Sequence, residues 1–170
     1  MKRIITIFAA VALTACAGTQ HSVAPITDVP AINTNRLAPS CVAQVYARES
    51  AETFRSVSYY TALISNAKAC LVPIQDADKH PQKTQIMRLY ATVITNSVKA
   101  HDSNQARAWL EKFRNNFPMQ DLLLEDYTSF IDTMTALLYS NNMNAYQLSR
   151  LNISSTLKQE LNRQQQWLVN

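Results

Sequence analysis

Few side chains in this 170-residue chain have the neighbours that catalysis needs. Its three histidines, His21, His80 and His101, are far apart and show no zinc-ligand spacing. Asp76-Ala77-Asp78-Lys79-His80 alternates oxygen and nitrogen ligands. A calcium loop would want Gly soon afterwards and Glu at its end. Pro81 follows here, and Met87 stands where that Glu would be, so the segment reads as a solvated turn and no metal is expected. Glu125, Asp126 and Asp132 are carboxylates in a segment expected to be helical. A glycosidase pair is one use for such groups, and a solvated polar face is the plainer one. Ser, His and Asp all occur, but no local signature joins them into a triad. No catalytic residue and no cofactor is expected. Of the aromatic residues, most fall at core-facing helical positions. Trp167, Tyr146 and Tyr139 are the candidate anchors for a partner, with Trp167 placed in the last helical turn.

The chain has one glycine, Gly18. Phosphate-binding loops, tight hairpin turns and nucleophile elbows usually draw on glycine for positive φ or close backbone approach. Their absence from the sequence points to helices joined by Asn, Asp, Ser and Pro turns.

The first residues carry the clearest pattern. Lys2 and Arg3 precede an apolar run from Ile4 to Leu13. That run has the length of a signal-peptide core and falls short of the roughly 20 residues of a membrane span. Leu13-Thr14-Ala15-Cys16 follows. It resembles the lipobox of bacterial lipoprotein precursors, where small residues precede a cysteine whose thiol takes a diacylglyceryl group. The resemblance implies a signal peptide over residues 1–15 and lipid, palmitate included, on Cys16. The alternative is an ordinary secretory signal cleaved near Ala17 or Gly18. Several acyl chains anchor a protein stably where one would not. Ala17, rather than Asp, follows the cysteine. By the same resemblance the chain is expected at the outer membrane, facing the periplasm.

Removing residues 1–15 takes Lys2 and Arg3 from the 16 basic residues, leaving 14 against 12 acidic ones. No basic block remains to suggest nucleic acid. Of the three cysteines, lipidation of Cys16 leaves Cys41 and Cys70. In an exported protein that pair is expected to form one disulfide, two buried thiols being the alternative.

The elements follow from spacing. Residues 16–39, with Pro25, Pro30 and Pro39, read as a lipidated flexible tether, and residues 40–170 as a single helical domain. Ser40 can cap a short helix over 42–48, and Ser50 a second over 51–71. A single helix through both cysteines would hold them about 40 Å apart, far beyond disulfide reach, so a break is placed near residues 49–50. Further helices are expected over 81–100, 104–116, 121–140 and 144–151, with a last one capped by Ser154 or Ser155. In the 121–140 helix, Leu123, Tyr127, Phe130, Met134 and Leu137 would be buried. The fold expected is all-α, about six helices as a hairpin array or compact bundle with one disulfide.

Residues 87–118 also resemble a tetratricopeptide-like helical hairpin. With Pro118 as the late proline of the repeat, Ala106 takes its small-residue position, and Leu110 and Phe113 its following packing positions. Tyr90 and Val93 take earlier ones. Ile94 and Ser97 depart from the pattern. The resemblance implies a concave surface that holds a peptide or partner helix, and no chemistry. The expectation is a non-enzymatic protein-binding or assembly factor, akin to pilotins or scaffolds of secretion, pilus or flagellar machines, with an envelope protein as partner. A surface-exposed lipoprotein binding a host or phage component, and an envelope hydrolase with an unrecognised site, are the alternatives.

Overall fold

Side-chain caps set five of the helix starts among the described residues, through Ser56, Asp102, Ser129, Asn144 and Ser154. The computed structural model describes residues 35–51 and 56–169. Among them are seven α-helices, α1 Pro39–Ala51, α2 Val57–Leu71, α3 Lys83–Lys99, α4 Ser103–Asn116, α5 Phe130–Tyr139, α6 Ala145–Arg150 and α7 Ser155–Val169, and no strand. The fold is all-α, and Cys41 and Cys70 form a disulfide with Cα atoms 5.8 Å apart. The bond ties the start of α1 to the end of α2, so the two helices run antiparallel.

The break between α1 and α2 lies later than the sequence suggested. Ser50 does not cap α2. Its hydroxyl donates back to the carbonyls of Tyr46 and Ala47, both at 3.1 Å, and α1 continues to Ala51. Such back-bonding keeps a serine inside a helix. Ser56 caps α2 instead, in extended conformation, its side chain accepting from the Tyr59 amide. The packed region also begins before residue 40. Leu37 is fully buried, and the Asn35 side chain accepts from the Gln75 amide at 2.8 Å. The expected tether thus gives residues 35–39 to the domain, and its remainder lies outside the described residues.

His80 is structural. The Gln82 amide donates to Nδ1 at 3.0 Å, so the ring proton sits on Nε2, which donates to the Asn35 carbonyl at 3.3 Å. Asp78 pairs with Lys83 at 3.6 Å and accepts from Gln120. The 76–80 segment is therefore a pinned turn that includes the 3₁₀ turn Ala77–Lys79.

The central element is α3. Ile86, Met87, Leu89, Val93 and Ile94 are buried, and so are Thr92, Asn96 and Ser97. The three polar side chains satisfy themselves on the carbonyls four residues earlier, at 3.1, 2.7 and 2.8 Å. This lets α3 be enclosed by α2 on one side and α4 on the other. Its end is a Schellman turn: the His101 amide donates to Val98 and the Asp102 amide to Ser97, with His101 at φ 61°. Asp102 then caps α4 through the Gln105 amide. Tyr90, Phe113, Phe117 and Phe130 stack edge-on or tilted at 5.2–6.3 Å and join α3, α4 and α5. A smaller core of Ala136, Leu148, Ile153 and Leu161 holds α6 and α7.

The helix expected over 121–140 forms only from Phe130. Residues 121–129 make a tight hairpin-like loop with a bridge between Leu123 and Ser129. Leu123, Tyr127 and Leu137, expected in the core, are exposed, whereas Phe130 and Met134 are buried. The cause is competition by carboxylates. Asp121 accepts from the amides of Leu122 and Ile131 and from the Ser129 hydroxyl. Asp126 accepts from the Thr128 amide and hydroxyl. Ser129 caps α5 through the Asp132 amide. These bonds offer the backbone an alternative to the helix.

Candidate functional site

A groove of about 600 Å³ opens where α1, α3 and α5 come together beneath the 122–125 loop. Tyr46 and Glu49 come from α1, Arg88 and Ala91 from α3, and Phe130 and Met134 from the start of α5. α1 is held in place by its disulfide to α2 and by Tyr59 Oη donating to the Arg48 carbonyl at 2.6 Å. Leu122, Leu123 and Leu124 form the overhanging wall.

That wall is rigid by construction. The Leu124 amide donates to Thr128 and the Tyr127 amide to Leu124, each at 2.9 Å. The Phe130 amide donates to Leu122 at 2.9 Å, and the Ser129 amide to Asn152 at 2.8 Å. Asn152 Nδ2 donates to the Tyr127 carbonyl. The structure so fixed displays apolar groups to solvent: Leu123 is 66% exposed, Tyr127 80% and Met119 fully. Met119 and Tyr127 both have positive φ, 63° and 59°. Bulky residues hold that region at a cost.

The groove floor carries an orphan. Tyr46 Oη is buried with no hydrogen-bond partner among the described residues. Burial lifts the phenol above its ordinary pKa, Arg88 pulls it partway back, and Glu49 adds a smaller rise. Glu49 accepts from Asn96 Nδ2 at 3.4 Å. Nothing in the groove pairs a nucleophile with a base, and among the described residues no group of three or more His, Cys, Asp or Glu is arranged to hold a metal ion. What the groove offers is apolar contact, hydrogen bonding and charge.

The residues singled out in the sequence are scattered. Cys16 lies outside the described residues. Cys41 and Cys70 meet in the disulfide. Tyr139 is half-buried on the core and carries the Arg107 guanidinium over its ring at 5.3 Å, while Arg107 also donates to the Leu138 carbonyl. Tyr146 and Trp167 are exposed, at 70% and 73%. None of the three aromatics lines the groove. Asp126 and Asp132 serve the loop itself, Asp132 accepting from the Asn152 amide at 2.8 Å. Glu125 stands on the groove rim.

The spacing argument missed Tyr46, Arg88 and the leucine wall. A signal was present. Three consecutive leucines cannot share one helix face, and Ser129-x-x-Asp132 is a helix-start pattern eight residues beyond the expected start. No protein-family model, no curated protein and no solved structure matches this chain.

Proposed function

We propose that this chain is a lipoprotein of the bacterial envelope, anchored through Cys16 at the outer membrane, that binds another envelope protein and catalyses no reaction. The observation that carries the binding half is the groove between α1, α3 and α5, with its rigid overhang of exposed apolar side chains. Leu123 and Leu124, both exposed, stand next to each other on its wall above buried Phe130 and Met134, the apolar lining a binding cleft uses. The anchoring half rests on the resemblance of Leu13-Thr14-Ala15-Cys16 to a lipobox. An assembly-factor role, of the kind pilotins and secretion scaffolds perform, fits a small helical domain held near a membrane. The hairpin of α3 and α4 supports a repeat-like reading of the same surface, since concave faces of helical arrays hold peptides and helices.

Crosslinking in intact cells tests this reading. Wild type is expected in the membrane fraction with one dominant crosslinked species. Cys16→Ser should move the protein to the soluble periplasmic fraction, and Leu123→Asp should leave it on the membrane but remove the crosslink. An unchanged crosslink pattern with Leu123→Asp rules the groove out.

A further inference from the structure

We propose that the occupant of this groove is a cationic amphipathic polypeptide segment, with a large apolar side chain set between Leu123, Phe130 and Met134 and with lysines or arginines along its flanks. The inference rests on the docking reading above and adds the chemical class of the partner.

Charge is unevenly spread along the chain. Residues 115–149 contain Asp121, Glu125, Asp126 and Asp132 and not one Lys, Arg or His. This stretch builds the overhang and α5, which form one side of the groove. The opposite side adds Glu49 and Arg88, whose effects on the Tyr46 phenol are opposite in sign. Glu49 and Glu125 against Arg88 leave the groove lining negative by one charge, with Asp126 next to Glu125 in the loop above it. Glu125 has no hydrogen bond or ion pair among the described residues, so its carboxylate is available to a bound cation.

Four cations elsewhere are engaged with aromatic rings or a carboxylate. Lys68 and Lys112 lie over Trp109 at 5.4 and 4.7 Å, and Lys99 lies over Tyr60 at 6.0 Å. Arg114 pairs with Glu111 at 2.9 Å. Lys68 on α2, Lys99 at the end of α3, and Lys112 and Arg114 on α4 all lie outside the groove lining, where Arg88 is the one cation among the described residues.

The apolar half of the match is equally specific. The groove offers Ala91, Leu122, Leu123, Phe130 and Met134 within about 600 Å³, room for one or two large side chains. Methionine and leucine adapt to varied apolar guests. Tyr46 Oη supplies an unmet hydrogen-bonding group at the base. An anionic bilayer surface would present apolar groups too, but the Glu49 and Glu125 carboxylates in the groove lining would oppose it. Complementary charge both steers a basic segment inward and rejects acidic ones.

The test uses two peptides of 16 residues with leucines at i, i+3, i+4 and i+7, one with lysines and the other with glutamates at the remaining positions. Each is fluorescently labelled and titrated with the full chain in neutral detergent, against a detergent-only blank. The lysine peptide should bind at least about tenfold more tightly than the glutamate peptide. Leu123→Asp and Glu125→Lys should each weaken it severalfold, and Glu111→Gln, on α4, should leave it unchanged. Raising salt from about 0.05 to about 0.5 M should weaken it further. Equal binding of both peptides, lost in Leu123→Asp, overturns the cationic class while the docking groove stands. Binding of the lysine peptide that ignores Leu123→Asp and Glu125→Lys overturns the site. Failure of both peptides to bind, with uptake onto phosphatidylglycerol vesicles instead, overturns the inference in favour of a membrane surface.

Discussion

Met119 and Tyr127 occupy the left-handed backbone region with their side chains in solvent, an arrangement that repays nothing in the isolated domain. The conformation costs a non-glycine residue roughly 1–2 kcal/mol. Glycine at such a site relieves the cost but frees the unfolded chain by roughly 0.4–1 kcal/mol. Tyr127→Gly is therefore expected to gain about 0.5–1 kcal/mol in urea unfolding. Asp121→Ala should do the reverse. It strips acceptors from the Leu122 and Ile131 amides and the Ser129 hydroxyl, a loss of about 1–3 kcal/mol on the same assay. Acid should loosen the loop as well. The Thr128 hydroxyl, then its amide, hold the Asp126 carboxyl below the usual aspartate pKa. A depressed carboxylate gives its support in full above the unfolded value near 3.9, and the support fades as pH falls through the folded value. Amide exchange at Thr128 should accelerate relative to buried α3 amides as pH drops below about 4. Protection that stays level would contradict that coupling.

At the scale of elements, helix starts are decided by which serine or aspartate reaches a free amide. Ser56 does so and Ser50 does not, although both precede apolar periodicity. Ser56→Ala should cost about 1 kcal/mol and Ser50→Ala close to nothing, read from thermal unfolding. The disulfide closes a separation of 29 residues, so Cys41→Ser with Cys70→Ser should cost about 3–4 kcal/mol by the chain-entropy model. Helix identity was legible where period and cap agreed, in α4, α6 and α7, and from apolar period alone in α3; all four lie within a few residues of their expected bounds. Cysteine pairing was legible from the count of three, with Cys16 set aside and export expected. The 121–129 loop was not, because Leu123, Tyr127 and Phe130 fit helical spacing and only the carboxylates of Asp121 and Asp126 favour the turn. Nor did periodicity point to the groove, which draws on residues from three helices and a loop that are distant in sequence. Two of the three aromatic residues chosen as anchors, Tyr146 and Trp167, are exposed, yet the structure gathers its exposed leucines elsewhere.

At the scale of the whole molecule, the proposed role joins an expected leader over residues 1–15 and lipid on Cys16 to a helical domain whose groove carries apolar and acidic side chains. The proposed anchor would confine the groove to a surface, where even modest affinity suffices because effective concentration is high. This makes the acylated thiol the statement on which the proposed role turns. Mass spectrometry of the protein extracted from native membranes tests it most directly. The amino-terminal tryptic peptide should start at Cys16, end at Arg36 and carry the added mass of a diacylglyceryl group. An unmodified amino terminus starting beyond Cys16 would contradict the lipid anchor and the placement built on it.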